Sequence, residues 1–330
     1  MADEGAMFEN AYIHVPICNP SRSTTLTGRY FHNIKTTNTS WASMHCDMNR
    51  VHNSSFAKRL KSYGYTVGLF GKYLNSIPGT NITKPGAYVP EGFDAWFANG
   101  GGEYISPEFA TSGLEESSGY MDGAIHFNSS VYSTSIIGNT SLSWIRHTVK
   151  TKPNQPFFAY IAPKAAHEPF NPAPWYADHW DPSWPEHEPR PENCWNASLE
   201  IRKDHAGVVN NESMITTEAA KVITGVFKNR WRTLMSVDDL IAETVNVVEN
   251  ELGLGDNTYY FYSSDHGFQL GQVRITLTDT HTQTKTQTKK TVEYFDGQTS
   301  CVRLEYTYSS SRSRTVHRAW TDRQGSDHKC

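Results

Sequence analysis

The 330 residues, 37% of them hydrophobic, are enough to bury a sizeable core in one large domain or two smaller ones. A formal net charge of -4 gives no global attraction to nucleic acid or to an anionic membrane, so an anionic substrate needs a local basic pocket. No apolar run approaches the roughly 18 residues that span a bilayer, which excludes a membrane-spanning helix.

The first seven residues have neither the basic start nor the apolar stretch of a signal peptide, so none is expected in the sequence as given. From about residue 10 to 272, short β-rich runs alternate with longer helical segments. That alternation predicts an α/β domain whose central, mostly parallel sheet is flanked by helices. Strands are expected at 7–15, 66–70, 157–162 and 258–263, and helices at 54–63, 133–148, 218–235 and 237–252. For the last helix Ser236 is the expected cap and Gly253 the stop, while Asp238 and Asp239 favour its positive end. Those two aspartates therefore read as helix-terminus charges rather than ligands. The Pro-, Trp- and His-rich stretch from His167 to Trp195 predicts an irregular excursion whose rings pack a long loop, with a sugar-stacking wall as the alternative. Beyond Arg274 the composition turns Thr/Lys/Gln-rich and then Ser/Arg-rich, a low-complexity tail unable to fold alone.

Five cysteines, none in a CxxC pair, are too few and too scattered for a disulfide scaffold; one Cys46–Cys194 bridge would suit an oxidising compartment. Seven N-x-Ser/Thr sequons, at Asn38, Asn53, Asn81, Asn128, Asn139, Asn196 and Asn211, point toward the secretory pathway.

Four segments carry chemistry. Cys18 follows an extended run and precedes Pro20 and Ser21, which places it at an expected helix N-terminus, where backbone N–H groups favour an anion. Arg22 sits one turn on and can point at the same spot. A lone cysteine is ordinarily a buried apolar filler. Lys72 follows the strand expected at 66–70 through Gly71; a lysine there is ordinarily a solvated surface charge. His167 follows the strand at 157–162, and catalytic groups in open α/β sheets gather at strand carboxyl ends. Asp265 and His266 end the run at 258–263 before a Gly turn, which suits a hard divalent cation, although an Asp there more often caps a turn.

The string Cys18-Asn19-Pro20-Ser21-Arg22 with Leu26-Thr27-Gly28-Arg29 downstream resembles the signature of formylglycine-dependent sulfatases. Gly71-Lys72-Tyr73-Leu74-Asn75 is similar to a segment of glucosamine-6-sulfatases and heparan-sulfate 6-O-endosulfatases. Ala162-Pro163 followed by His167-Glu168-Pro169 partly matches a third family motif, with Ala166 where a proline is usual and Lys164 as an extra cation. Ser263–Gln272 fits the fourth, and residues 227–240 also look like this branch.

The resemblance covers about residues 3 to 272 and implies an alkaline-phosphatase-like sulfatase domain over 1–272, with 273–330 as an atypical tail. It implies that a formylglycine-generating enzyme oxidises Cys18 in the secretory pathway. It further implies that Arg22, Lys72 and His167 contact sulfate, and that Asp265, His266 and the formylglycine at Cys18 hold calcium. The substrate class would be a sulfated carbohydrate, a 6-O-sulfate of glucosamine in a polysaccharide. Lys290, four residues before Tyr294, loosely echoes a family catalytic lysine. The family also carries two adjacent aspartates upstream of the segment matched here, so the sequence as given predicts an incomplete metal site and poor turnover. The alternatives are an inactive fragment that binds sulfated glycans, and a phosphatase of the same superfamily, which would show Ser or Thr in place of Cys18.

Overall fold

The computed structural model describes residues 5–36, 45–75, 89–191, 195–196, 198, 200 and 214–271. Lys290, the tail beyond 272, Cys194 and the sequons at Asn38, Asn81 and Asn211 lie outside the described residues. The chain divides into two compact units. One comprises Ile17–Pro185 and Val226–Thr258; the other takes the described residues of Met1–Pro16, Glu186–Gly225 and Tyr259–Cys330.

The first unit contains α1 (Cys18–Thr27), α2 (Met48–Asn53), α3 (Phe56–Ser62) and β1 (Thr66–Lys72), then β2 (Ala95–Asn99) and β3 (Glu108–Ser112). After α4 (Glu115–Ser118) come β4 (Gly123–His126), α5 (Ser133–Thr151) and β5 (Phe157–Ala162). The sheet order is β4-β3-β2-β1-β5. β1 pairs in parallel with both β2 and β5, whereas β2–β3 and β3–β4 are antiparallel. The α/β expectation holds, with a mixed sheet.

Every residue of β1 and of β2 is buried. A strand covered on both faces reads as a continuous apolar run rather than an alternation. On one face Trp144 of α5 packs against Phe70 at 5.4 Å, and on the antiparallel half Phe97 stacks on Phe109 at 4.1 Å between ring centres. Tyr73 and Trp96 meet edge to face at 4.9 Å. Each such ring pair adds about 1 kcal/mol to the area it buries.

Several expectations are corrected. Residues 218–235 and 237–252 do not form two helices. A single helix, α6, runs Thr217–Val245 and continues as a π-helical turn over Asn246–Glu251. Ser236 is no cap: its hydroxyl donates 2.8 Å back to the Thr233 carbonyl, an interaction helices absorb without breaking. Asp238 and Asp239 therefore sit in mid-helix, and Asp239 accepts from the Tyr176 hydroxyl at 2.8 Å. Gly253, at φ 66, does follow the helical end as expected. Residues 7–15 and 258–263 form no strand. Several of their aromatic rings stand in solvent, with Phe8 82% and Tyr259 89% exposed, because an apolar run becomes a strand only beside a strand that pairs with it. Cys46 is a free, buried thiol, 3.7 Å from the Met48 sulfur, and burial pushes its pKa up to about 11.

In the Pro/Trp/His stretch the packing reading prevails for two of the tryptophans. Within the first unit Trp180 and Trp184 meet edge to face at 5.0 Å, and Trp184 packs on Trp231 of α6 at 5.3 Å. The other unit is held by side chain to backbone bonds. The Trp195 ring N–H donates to the Leu270 carbonyl at 3.1 Å, and the Asn196 side chain pairs with both the N–H and the C=O of Ile215. Glu188, fully buried, accepts from Arg190 and Thr224. Among the described residues no helix is long and apolar enough to cross a membrane.

Candidate active site

β1 ends at Lys72, in register with Asn99 at the end of β2, and one step earlier Gly71 pairs with Ala162 at the end of β5. Three parallel strands thus deliver their carboxyl ends to one edge of the sheet. Gly71 makes this possible. It sits at φ 111, and a Cβ built on it would lie 2.1 Å from the Ala162 carbonyl oxygen, so only glycine lets β1 close on β5 where the lysine emerges.

The chain enters α1 extended, with Ile17 at φ -136 and ψ 147, and Cys18 heads the helix where free backbone N–H groups and the positive dipole end meet. Pro20 fits this first turn because no hydrogen bond is required of its nitrogen there. Cys18 is half-buried. Lys72, 8% exposed, points its ammonium at the Cys18 sulfur from 3.8 Å. Buried Arg22, one turn along, donates from Nη2 to Asn75 Oδ1, and the Asn75 N–H donates to Asn19 Oδ1 at 2.7 Å. Asn19, Arg22 and Asn75 therefore cross-tie the first turn of α1 to the segment after β1, and the cysteine and lysine are held in mutual register.

The loop after β2 closes around the same lysine. A Cβ on Gly101 would lie 3.5 Å from Lys72 Cε, and the Asn99 side chain accepts from the Gly101 N–H at 3.0 Å. Lys164, on the turn after β5, donates to the Gly102 carbonyl and lies 5.0 Å over the Tyr104 ring. Burial lowers its pKa, against the opposing pull of Glu103 and Glu168. His167 follows on that turn, its N–H bonded to the Lys164 carbonyl at 3.0 Å. Its Nδ1 lies 2.9 Å from the Glu168 carbonyl, which can only accept, so Nδ1 carries the hydrogen and Nε2 the lone pair of the neutral ring. The structure thus brings Cys18, Arg22 and Lys72 into one cluster, and places His167 on a turn bonded to the loop that flanks Lys72.

Asp265 and His266 belong to the other unit and are described within it. Both are half-buried. The His266 N–H donates to Asp265 Oδ1 at 3.0 Å, and His266 Nδ1 donates to the Gly267 carbonyl at 2.8 Å. That second bond fixes the tautomer with the lone pair on Nε2, which lies 3.9 Å from Asp265 Oδ1. A carboxylate oxygen and an imidazole nitrogen so spaced fit two ligands of one divalent cation.

Sequence reasoning left Asn19, Asn75, Tyr104 and Arg230 without a role. The run Gly100-Gly101-Gly102 after an apolar stretch was the one available signal, since consecutive glycines mark a close backbone approach.

The family model described as Sulfatase matches residues 1–300. The chain is 30% identical over 287 residues to a Drosophila melanogaster extracellular sulfatase SULF-1 homolog, covering 82% of this chain and 23% of that protein. It is likewise 30% identical over 293 residues to the Homo sapiens N-acetylglucosamine-6-sulfatase, covering 84% of this chain and 48% of that one. The chain thus spans less than half the length of these relatives. A solved structure of a protein in complex with its substrate D-glucosamine-2-N,6-O-disulfate superposes with a TM-score of 0.52 at 20% identity, covering 80% of this chain and 58% of the other; this likeness concerns the fold.

Proposed function

The chain belongs to the sulfatase family, and from that membership we propose that it hydrolyses sulfate esters, in particular a 6-O-sulfate on glucosamine in a sulfated polysaccharide. The observation that carries the reading is the buried Lys72 ammonium 3.8 Å from the Cys18 sulfur at the head of a helix, with Arg22 on the next turn. Buried cationic and N–H donors converging on a half-exposed cysteine suit an anionic group there and are a poor setting for a structural thiol.

Oxidation of Cys18 to formylglycine would supply a hydrated aldehyde, one hydroxyl to attack sulfur and the other to release sulfate afterwards. The half-buried position of Cys18 at the start of α1 fits that group. Lys72 and Arg22 bind the sulfuryl oxygens and neutralise the charge that grows on them, a stabilisation worth about 3–4 kcal/mol per donor in a dry site. His167 moves the proton: with Nδ1–H held by a carbonyl, the imidazolium form, which carries a second hydrogen on Nε2, gives that proton to the departing sugar oxygen and is left as the neutral ring. Asp265 and His266 would hold a divalent cation, calcium by family likeness, which would supply positive charge for polarising a sulfate ester. The substrate class is supported by the named relatives and by the Lys72-Tyr73-Leu74-Asn75 segment, in which Asn75 ties Arg22 in place. Function in the secretory pathway, after maturation by a formylglycine-generating enzyme, completes the proposal.

The test is turnover of 4-nitrocatechol sulfate and of a 6-sulfated glucosamine by protein made in cells that contain the generating enzyme, with peptide mass spectrometry at Cys18. Formylglycine at Cys18, and turnover of the 6-sulfated sugar by a form that also carries the family's paired aspartates, are the expected results. An unmodified, alkylatable thiol under those conditions removes the central claim.

A further inference from the structure

We propose that Arg230 of α6, together with Tyr104, is a positioning residue that aims the His167 ring. The inference rests on the reading above, in which His167 touches the sulfate or the leaving oxygen. Arg230 Nη1 donates to the Ala166 carbonyl at 2.7 Å, and the Tyr104 hydroxyl donates to the His167 carbonyl at 2.6 Å. These two carbonyls belong to the peptide planes on either side of the His167 Cα. Peptide units are rigid plates, so fixing both planes fixes φ and ψ at His167 and with them the direction of its Cα–Cβ bond. The Nδ1 bond to the Glu168 carbonyl then sets the ring about its own axis.

Both clamps are packed against aromatic rings. Tyr104 is 1% exposed and stacks on Tyr132 with centroids 5.9 Å apart and planes 22° from parallel. The Arg230 guanidinium lies 5.7 Å over the Phe170 ring, and burial pushes its pKa down to about 10. An apolar side chain of similar length would fill the same space without desolvating a cation. Placing a guanidinium there gains a donor aimed at one carbonyl of the catalytic turn.

A merely structural tie would lower stability and turnover independently of His167, and this separates the two roles. The experiment is a double-mutant cycle in the formylglycine-bearing enzyme, reading kcat and KM on a 6-sulfated glucosamine substrate. Arg230→Met is expected to lower kcat about 10- to 100-fold, as small misplacements of a catalytic group do, with KM within about twofold. In a His167→Ala background the same change should cost less than about twofold more, because the group being positioned is gone. Arg230→Lys, which retains a donor for one carbonyl, should recover most of the loss. Should Arg230→Met fail to fold, Tyr104→Phe carries the test, since it deletes only the hydroxyl of the other clamp. Equal losses with and without His167, or an unchanged kcat in Arg230→Met and in Tyr104→Phe, would overturn the proposal. If His167→Ala itself keeps kcat within about twofold, the role of His167 fails first, and that outcome is visible in the single variant.

Discussion

The two halves of the candidate chemistry are held by different means. Cys18 heads a helix, Lys72 ends a buried strand and His167 lies on the turn after β5, and each is tied across the fold: Lys72 to Cys18, Asn75 to Asn19 and Arg22, Tyr104 to His167. Asp265 and His266 are bonded to their neighbours in sequence, the His266 N–H to Asp265 and His266 Nδ1 to the Gly267 carbonyl, in a segment whose flanking Tyr259 and Phe261 are almost fully exposed. In the first region the geometry of the candidate residues is a by-product of core packing. In the second, local bonds set a tautomer and a spacing that suit the proposed cation.

Deleting the proposed nucleophile gives the largest expected effect. Cys18→Ala should lower turnover by about 10⁴-fold or more while Tm stays unchanged, because the preformed region needs no sulfur to hold its shape. A parallel fall in Tm would show that Cys18 is part of the packing. Gly71→Ala comes next: the new methyl would meet the Ala162 carbonyl, so stability should drop by about 3 kcal/mol or more, measured by denaturant unfolding, and turnover should fall with it. Chelation of divalent metal discriminates between the regions most directly. EDTA should cut turnover about 100-fold and speed amide exchange across 263–268 while β1 amides stay protected, and equal effects on both would erase the contrast.

The smallest effect concerns Cys46. Burial raises its pKa from the ordinary 9.0 to about 11, so the folded state prefers the neutral thiol. The stability this represents is complete below about pH 9 and is lost as pH climbs toward 11, amounting to about 1 kcal/mol at pH 10. Cys46→Ala should lack that increment when unfolding is measured at pH 8 and pH 10.

Legibility in the sequence followed the range of the interactions. α5 and β5 were readable because each carries its own pattern over consecutive residues, and β1 ran only two residues further than expected. β2, β3 and β4 were missed: each is short, and what makes Ala95–Asn99 a strand is its pairing with β1 and with a segment that begins nine residues later. The apparent break in α6 came from reading Ser236-Val237-Asp238-Asp239 as a cap, whereas buried Val237 and Leu240 carry the apolar stripe straight through. Cys18, Arg22 and Lys72 lay in compact motifs and could be singled out. Tyr104 and Arg230 could not, because each reaches the His167 turn from 63 or 64 positions away, a relation no local spacing records.

Gly71 also bears on how an unbiased survey of variants would look. With φ at 111 and a carbonyl 2.1 Å from where any Cβ must go, all nineteen replacements meet the same obstacle whatever their chemistry. In a saturation library selected for turnover, its column would be as empty as that of Cys18, and more uniformly so than that of Lys72. Ranked by intolerance alone, a residue with no side chain and no contact to substrate would be scored as part of the reacting machinery. Scoring the same library for abundance as well would separate them, with Gly71 variants missing from both screens and Cys18 variants missing from one.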